Sequence, residues 1–148
     1  MAPIVASVEI ARSPEDVFAY VGDLSRHGEW QSSVVDVRLE TEGPTRLGSR
    51  ATETRRVPRG PTMKSTYEMT EWDPPRAAAF RVSNGSIRPF GRFTVEPVGD
   101  GSRSKVTLEL DFTGHGLGKL MLGLVRRQAS KEVPLDQARL KERLERGA

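Results

Sequence analysis

Few residues in this chain can carry chemistry. It has no cysteine and two histidines, His27 and His115. A thiol nucleophile, a cysteine-zinc centre and a histidine-rich metal site are therefore out of reach, and no cofactor is called for. His115 stands in Gly114-His115-Gly116-Leu117-Gly118, where an imidazole can act as acid or base near neutral pH. The ordinary alternative is a hinge histidine that is solvated or bonded to backbone. The GxGxG spacing matches neither the GxGxxG dinucleotide fingerprint nor a GxxxxGK[ST] loop, which leaves a flexible strand-to-helix hinge. His27 precedes Trp30 in a loop, and two unanchored histidines define no Ser-His-Asp order.

Glu53 and Tyr67 are the other candidates. In the stretch Gly48 to Val57 neither parity is apolar: Ala51, Glu53, Arg55 and Val57 share one side, and Arg50, Thr52, Thr54 and Arg56 the other. If Ala51 and Val57 point inward, so do Glu53 and Arg55, which must then pair or meet water or ligand. The following stretch puts Met63, Ser65, Tyr67, Met69 and Glu71 on one face. Tyr67 with Glu53 would then make a polar spot in a greasy cleft, as ligand pockets often have. The plainer reading is an edge-like, solvated strand whose charges discourage aggregation.

The elements that must position these residues follow from periodicity. Val5 to Ile10 reads as a strand that stops at Ser13-Pro14-Glu15-Asp16, a helix start with a capping serine, an N1 proline and two carboxylates at the positive dipole end. Val17, Phe18, Val21 and Leu24 continue at helical spacing, and a second helical turn fits Leu24 to Trp30. From Val34 the period becomes two, with Val35, Val37 and Leu39 alternating with charge. Turn residues then separate further strands at Gly48 to Val57, Thr62 to Trp72, Arg76 to Ser83, Ile87 to Val98 and Arg103 to Thr113. Short connections favour antiparallel hairpins. After the glycine hinge, Leu117, Leu120, Met121, Leu124 and Val125 form a helical stripe, and Pro134 is expected to kink or interrupt the helix. The expected architecture is α+β. A seven-stranded antiparallel sheet wraps a long C-terminal helix, two short helices follow strand one, and a cleft lies between sheet and helix.

Composition narrows the function classes. With 148 residues the chain is one domain, 1–148, and aromatics are only 6%. The net charge is +3, from 23 Lys+Arg against 20 Asp+Glu mostly interspersed, so nucleic acid is not an expected partner. Arg55-Arg56, Arg59 and Arg126-Arg127 read as solvated surface, with phosphate or ribosome contact as the alternative. No signal peptide or membrane span is evident, which points to a cytoplasmic protein. A homodimer is compatible with the sequence.

The Ser13-Pro14-Glu15-Asp16-Val17-Phe18 opening, Asp23 and Trp30, the Thr70-Glu71-Trp72-Asp73-Pro74-Pro75-Arg76 turn and the Leu140-Lys141-Glu142-Arg143-Leu144-Glu145 ending together resemble the START-like (SRPBCC) superfamily, in its polyketide cyclase/dehydrase branch. The resemblance covers nearly the whole chain. It implies a helix-grip (Bet v 1-like) fold and a deep cavity that holds a hydrophobic small molecule, lipid or polyketide-like. The expected lining is Trp30, Val35, Tyr67, Met69, Phe80, Phe93, Leu108, Phe112, Leu120 and Leu124. An alternative is a cyclase/dehydratase-type enzyme. Glu53 or His115 would then abstract a proton next to a carbonyl, and Tyr67 would donate to the developing enolate. A third reading is a START-like protein that meets RNA or the ribosome.

Overall fold

A computed structural model describes residues 3–57 and 60–147. Seven strands, β1 (Ile4–Ile10), β2 (Val34–Leu39), β3 (Arg50–Arg55), β4 (Met63–Asp73), β5 (Ala77–Val82), β6 (Ile87–Val98) and β7 (Arg103–Gly114), form one antiparallel sheet in the order β1-β7-β6-β5-β4-β3-β2. Helix α1 (Pro14–Val21) and a 3-10 helix (Leu24–Glu29) follow β1, and α2 (Gly118–Glu145) closes the chain. Ser13 caps α1 through its side chain, which accepts from the Asp16 N–H. This is the sheet wrapped on a C-terminal helix that the periodicity predicts, the helix-grip fold that the resemblance implies.

Cross-strand pairing fixes the inner face. Ala51 pairs with Tyr67, Met69 with Phe80, Ala78 with Phe93, Phe93 with Leu108, and Val106 with both Val95 and Val8. Gly91 stands opposite Phe80, where a Cβ would meet the ring at 3.0 Å, so the glycine makes room for that aromatic. Two register shifts break the simple alternation. Between Met69 and Glu71 a bulge returns the inner side to Trp72, whose ring meets Phe18 edge-on at 5.0 Å. Glu71, expected beside Tyr67 and Met69, lies outside and pairs with Arg92 at 2.7 Å. Between Val34 and Asp36 a second shift buries Val34 and turns Val35 outward, half exposed.

Helix α2 lies across β1, β7 and β6, and its two halves differ. Toward its C-terminus Val133, Asp136, Gln137, Leu140 and Leu144 are buried. Polar ties reinforce that half: Gln137 Nε2 donates to the Ala6 carbonyl at 3.0 Å, and Glu145 Oε2 accepts from the Ala11 N–H at 2.9 Å. Pro134 does not divide the helix. Pro134 and Ser130 are both exposed, so the hydrogen bond the proline removes falls on a solvent-facing stretch of the helix. At the other end Gly118 abuts the Ser86 carbonyl so closely that any Cβ would collide with it. That contact sets the rotation of the first turns, leaving Leu122, Val125 and Ala129 half-buried and Leu120 and Leu124 exposed.

Candidate functional site

The inner face of β3 carries one carboxylate into the core. Glu53 is 3% exposed and stays on the same side as the fully buried Ala51. β3 is no edge strand, because β2 covers its outer flank. Burial of an ion is tolerable only when its lone pairs are taken up, and here all of the surrounding donors converge. Glu53 Oε1 lies 2.8 Å from His27 Nδ1 and accepts from the Tyr67 hydroxyl at 3.0 Å. Oε2 accepts from Arg55 Nε at 3.0 Å and Nη2 at 2.7 Å. Arg55 is fixed in turn by Ser33 Oγ and Gln31 Oε1.

His27 comes from the 3-10 helix, whose start Asp23 caps by accepting from the Ser25 N–H. Its Nε2 is 3.2 Å from the Val21 carbonyl, which can only accept. The ring is thus held between two oxygens, one on each nitrogen, which fixes its orientation in the site. The Trp30 ring stands edge-on to His27 at 5.9 Å. Trp30 is buried, yet its Nε1–H has no hydrogen-bond partner among the described residues. Buried indole N–H groups usually find one.

Electrostatics fix the roles. Burial alone would raise the Glu53 carboxyl, but the Arg55 charge and the bond to His27 outweigh it and lower the group to about 2. The Tyr67 phenol is pushed far up, first by burial and then by the Glu53 charge, so it remains a donor. A carboxyl lowered on folding contributes stability above its ordinary 4.5 and loses it as pH falls towards 2. We expect about 3 kcal/mol of unfolding free energy to be lost across that window. Denaturant titrations of the wild type and Glu53→Gln at a series of pH values check this. The wild type declines there more steeply than the variant.

Of the three residues expected to do acid–base chemistry, the fold brings Glu53 and Tyr67 together and leaves His115 apart. His115 is exposed on the hinge after β7, with Nε2 3.5 Å from Thr113 Oγ1. Strands β4, β5 and β6 separate it from β3. Among the expected lining residues, Trp30, Tyr67, Met69 and Phe93 are buried, and Phe80, Leu108 and Phe112 are half-buried. Val35, Leu120 and Leu124 point outward; Val34, Leu122 and Val125 take the inner positions. Arg55 and Arg126 are ion-paired, with Glu53 and Asp111, rather than solvated. Arg59 lies outside the described residues. His27 was the partner hardest to foresee. Its signal is its place three residues before Trp30, on a short helix that folds back over β2.

Two open concavities lie elsewhere. A groove of about 620 Å³ runs between α1, the loop after β2 and Trp72-Pro74-Pro75, and a depression of about 360 Å³ lies among Arg12, Tyr20 and Arg26. Neither is lined by any of the expected site residues. On the inner sheet face the half-buried Phe80 stands beside the ionic cluster, its ring 6.0 Å from that of Tyr67.

Comparisons with known proteins agree with this architecture. The structure is similar to the Zhui aromatase/cyclase of a Streptomyces species, with a TM-score of 0.82 at 16% identity, covering 97% of this chain and 93% of that one. It is also similar to a Thermus thermophilus protein, with a TM-score of 0.80 at 22% identity, covering 99% of both chains. In sequence, an uncharacterized protein of Mycobacterium tuberculosis is 33% identical over 113 residues, 74% of this chain and 77% of that protein. The family model described as polyketide cyclase / dehydrase and lipid transport matches residues 1–145. The chain belongs to the polyketide cyclase / dehydrase and lipid transport family.

Proposed function

We propose that the protein binds a hydrophobic small molecule, polycyclic or lipid-like and carrying a polar oxygen, in the cleft between α2 and the inner sheet face. One observation carries this reading: the buried Trp30 Nε1–H, without a partner among the described residues, next to the His27–Glu53–Arg55–Tyr67 cluster. An acceptor oxygen on the ligand supplies what that N–H lacks. The half-buried Phe80, Leu108, Phe112, Leu122 and Val125 offer the apolar wall, and each Å² they lose to the ligand is worth about 25 cal/mol. Family membership and the fold shared with an aromatase/cyclase support the same class of ligand.

Binding stands ahead of catalysis because Glu53 is a poor base. Its oxygens face four donor atoms and its carboxyl lies near 2, far below the range useful for proton abstraction at neutral pH. The cyclase/dehydratase reading keeps one supporting observation. Trp30 Nε1–H and Arg55 are donors that would polarise a ligand carbonyl, with Glu53 fixing Arg55 rather than acting as a base.

Calorimetric titration with a hydroxyanthraquinone and with anthracene separates an oxygen-recognising cleft from a merely greasy one. We expect the hydroxyanthraquinone to bind more tightly. Trp30→Phe should weaken its binding by about two- to tenfold, the worth of one hydrogen bond, and leave anthracene unchanged. Equal affinities for the two ligands, or no effect of the substitution, would overturn the assignment.

A further inference from the structure

The first turns of α2 carry a second apolar row that the fold does not use. Leu122 and Val125 turn inward, but Leu117, Leu120, Met121 and Leu124 are 81, 81, 48 and 52% exposed. Their spacing of three and four residues makes them one continuous outer stripe. Nothing in the core depends on it, and water must hydrate it at a cost in free energy.

Charge says what covers the stripe. From Phe112 to Lys131 the chain has no Asp or Glu, while it has Lys119, Arg126, Arg127 and Lys131. Arg126 is taken up by Asp111, and the nearest acid on the far side, Glu132, accepts from Gln128 Nε2. Lys119, Arg127 and Lys131 are exposed. Along the outer face Leu120, Leu124, Arg127 and Lys131 follow one another at steps of four, three and four, so the row reads apolar, apolar, basic, basic. At 1.5 Å per residue, Leu120 and Arg127 stand about 10 Å apart along the axis. With the N-terminal end of α2 pointing into the surface, that spacing sets the basic pair at headgroup level and the leucines about 5–10 Å deeper, at the headgroup/acyl boundary.

We propose that this end of α2 docks on an anionic lipid surface, with the leucines in the acyl boundary and Arg127 and Lys131 among the headgroup phosphates. A second copy of the chain is the poorer occupant. Two such faces would set Lys119, Arg127 and Lys131 against their own equivalents, with no free acid in the segment to pair them. The docking is peripheral, since no helix among the described residues is long and apolar enough to cross a membrane. It does not depend on what the cleft holds.

Flotation of the full chain with phosphatidylcholine vesicles, and with vesicles containing one third phosphatidylglycerol, tests the proposal. The protein should float with the anionic vesicles, stay in solution with the neutral ones, and be released by raised salt. Leu120→Ser with Leu124→Ser should lower binding more than tenfold, and Arg127→Gln with Lys131→Gln about thirtyfold. All four positions are exposed, so thermal midpoints should stay at the wild-type value, which separates lost docking from lost folding. Absence of flotation, or flotation that both variants retain, would overturn the proposal. So would a dimer in sedimentation velocity that Leu120→Ser with Leu124→Ser dissolves, because the face would then belong to a second copy.

Discussion

Replacing Glu53 by alanine is expected to lower the unfolding free energy by about 3–5 kcal/mol, measured by chemical denaturation at neutral pH. Four donor atoms meet this carboxylate inside the sheet. Without it the Arg55 guanidinium loses its counter-charge, the His27 ring loses a hydrogen-bond partner, and the Tyr67 hydroxyl loses its acceptor in a buried place. The penalty is the desolvation of groups left unpaired rather than the loss of one attractive contact. Glu53→Gln keeps the shape and one acceptor, and should cost less. A second change identifies the cause: once Glu53 is alanine, Arg55→Met should cost little or even restore stability, because it removes the orphaned charge. Additive losses from the two substitutions would mean that the pair is not coupled.

Leu140→Ala should cost about 2–5 kcal/mol, while Leu120→Ala should change stability by no more than about 0.5 kcal/mol. Both leucines lie on α2. Leu140 is 1% exposed within the main core cluster, and Leu120 is 81% exposed. Truncating Leu140 leaves a cavity that the sheet, held by pairing along its whole width, cannot collapse to fill. Leu120 stands outside the core cluster, so truncating it opens no internal void. The contrast between two equivalent substitutions on one helix measures how unequally its two halves grip the sheet.

Most of the fold was legible in local chemistry. Ser13-Pro14-Glu15-Asp16 marks the start of α1, and the alternation of Val106, Leu108, Leu110 and Phe112 marks β7, because caps and pleats are local events. Parity was less legible. A bulge adds one residue without any necessary change in the hydropathy pattern, so Val35 and Glu71 read as inner residues when Val34 and Trp72 hold those places. The start of α2 has apolar residues on two sides, and periodicity alone cannot tell which side meets the sheet. The contact of Gly118 with Ser86 decides it. The pairing of Glu53 with Tyr67 could be read from adjacent strands. His27 could not, since a loop-derived helix delivers it from 26 residues away.

The chain has two tryptophans, Trp30 and Trp72, so its proton–nitrogen NMR spectrum holds two indole N–H signals, which Trp72→Phe assigns. Trp30 lies beside the ionic cluster and Trp72 lines the groove along α1, so the two signals separate the cleft from that groove. Titration with a hydroxyanthraquinone should shift the Trp30 signal downfield as its N–H gains an acceptor, and leave the Trp72 signal in place. A Trp30 signal that stays fixed while that of Trp72 moves would put the ligand in the groove along α1 and contradict binding in the cleft.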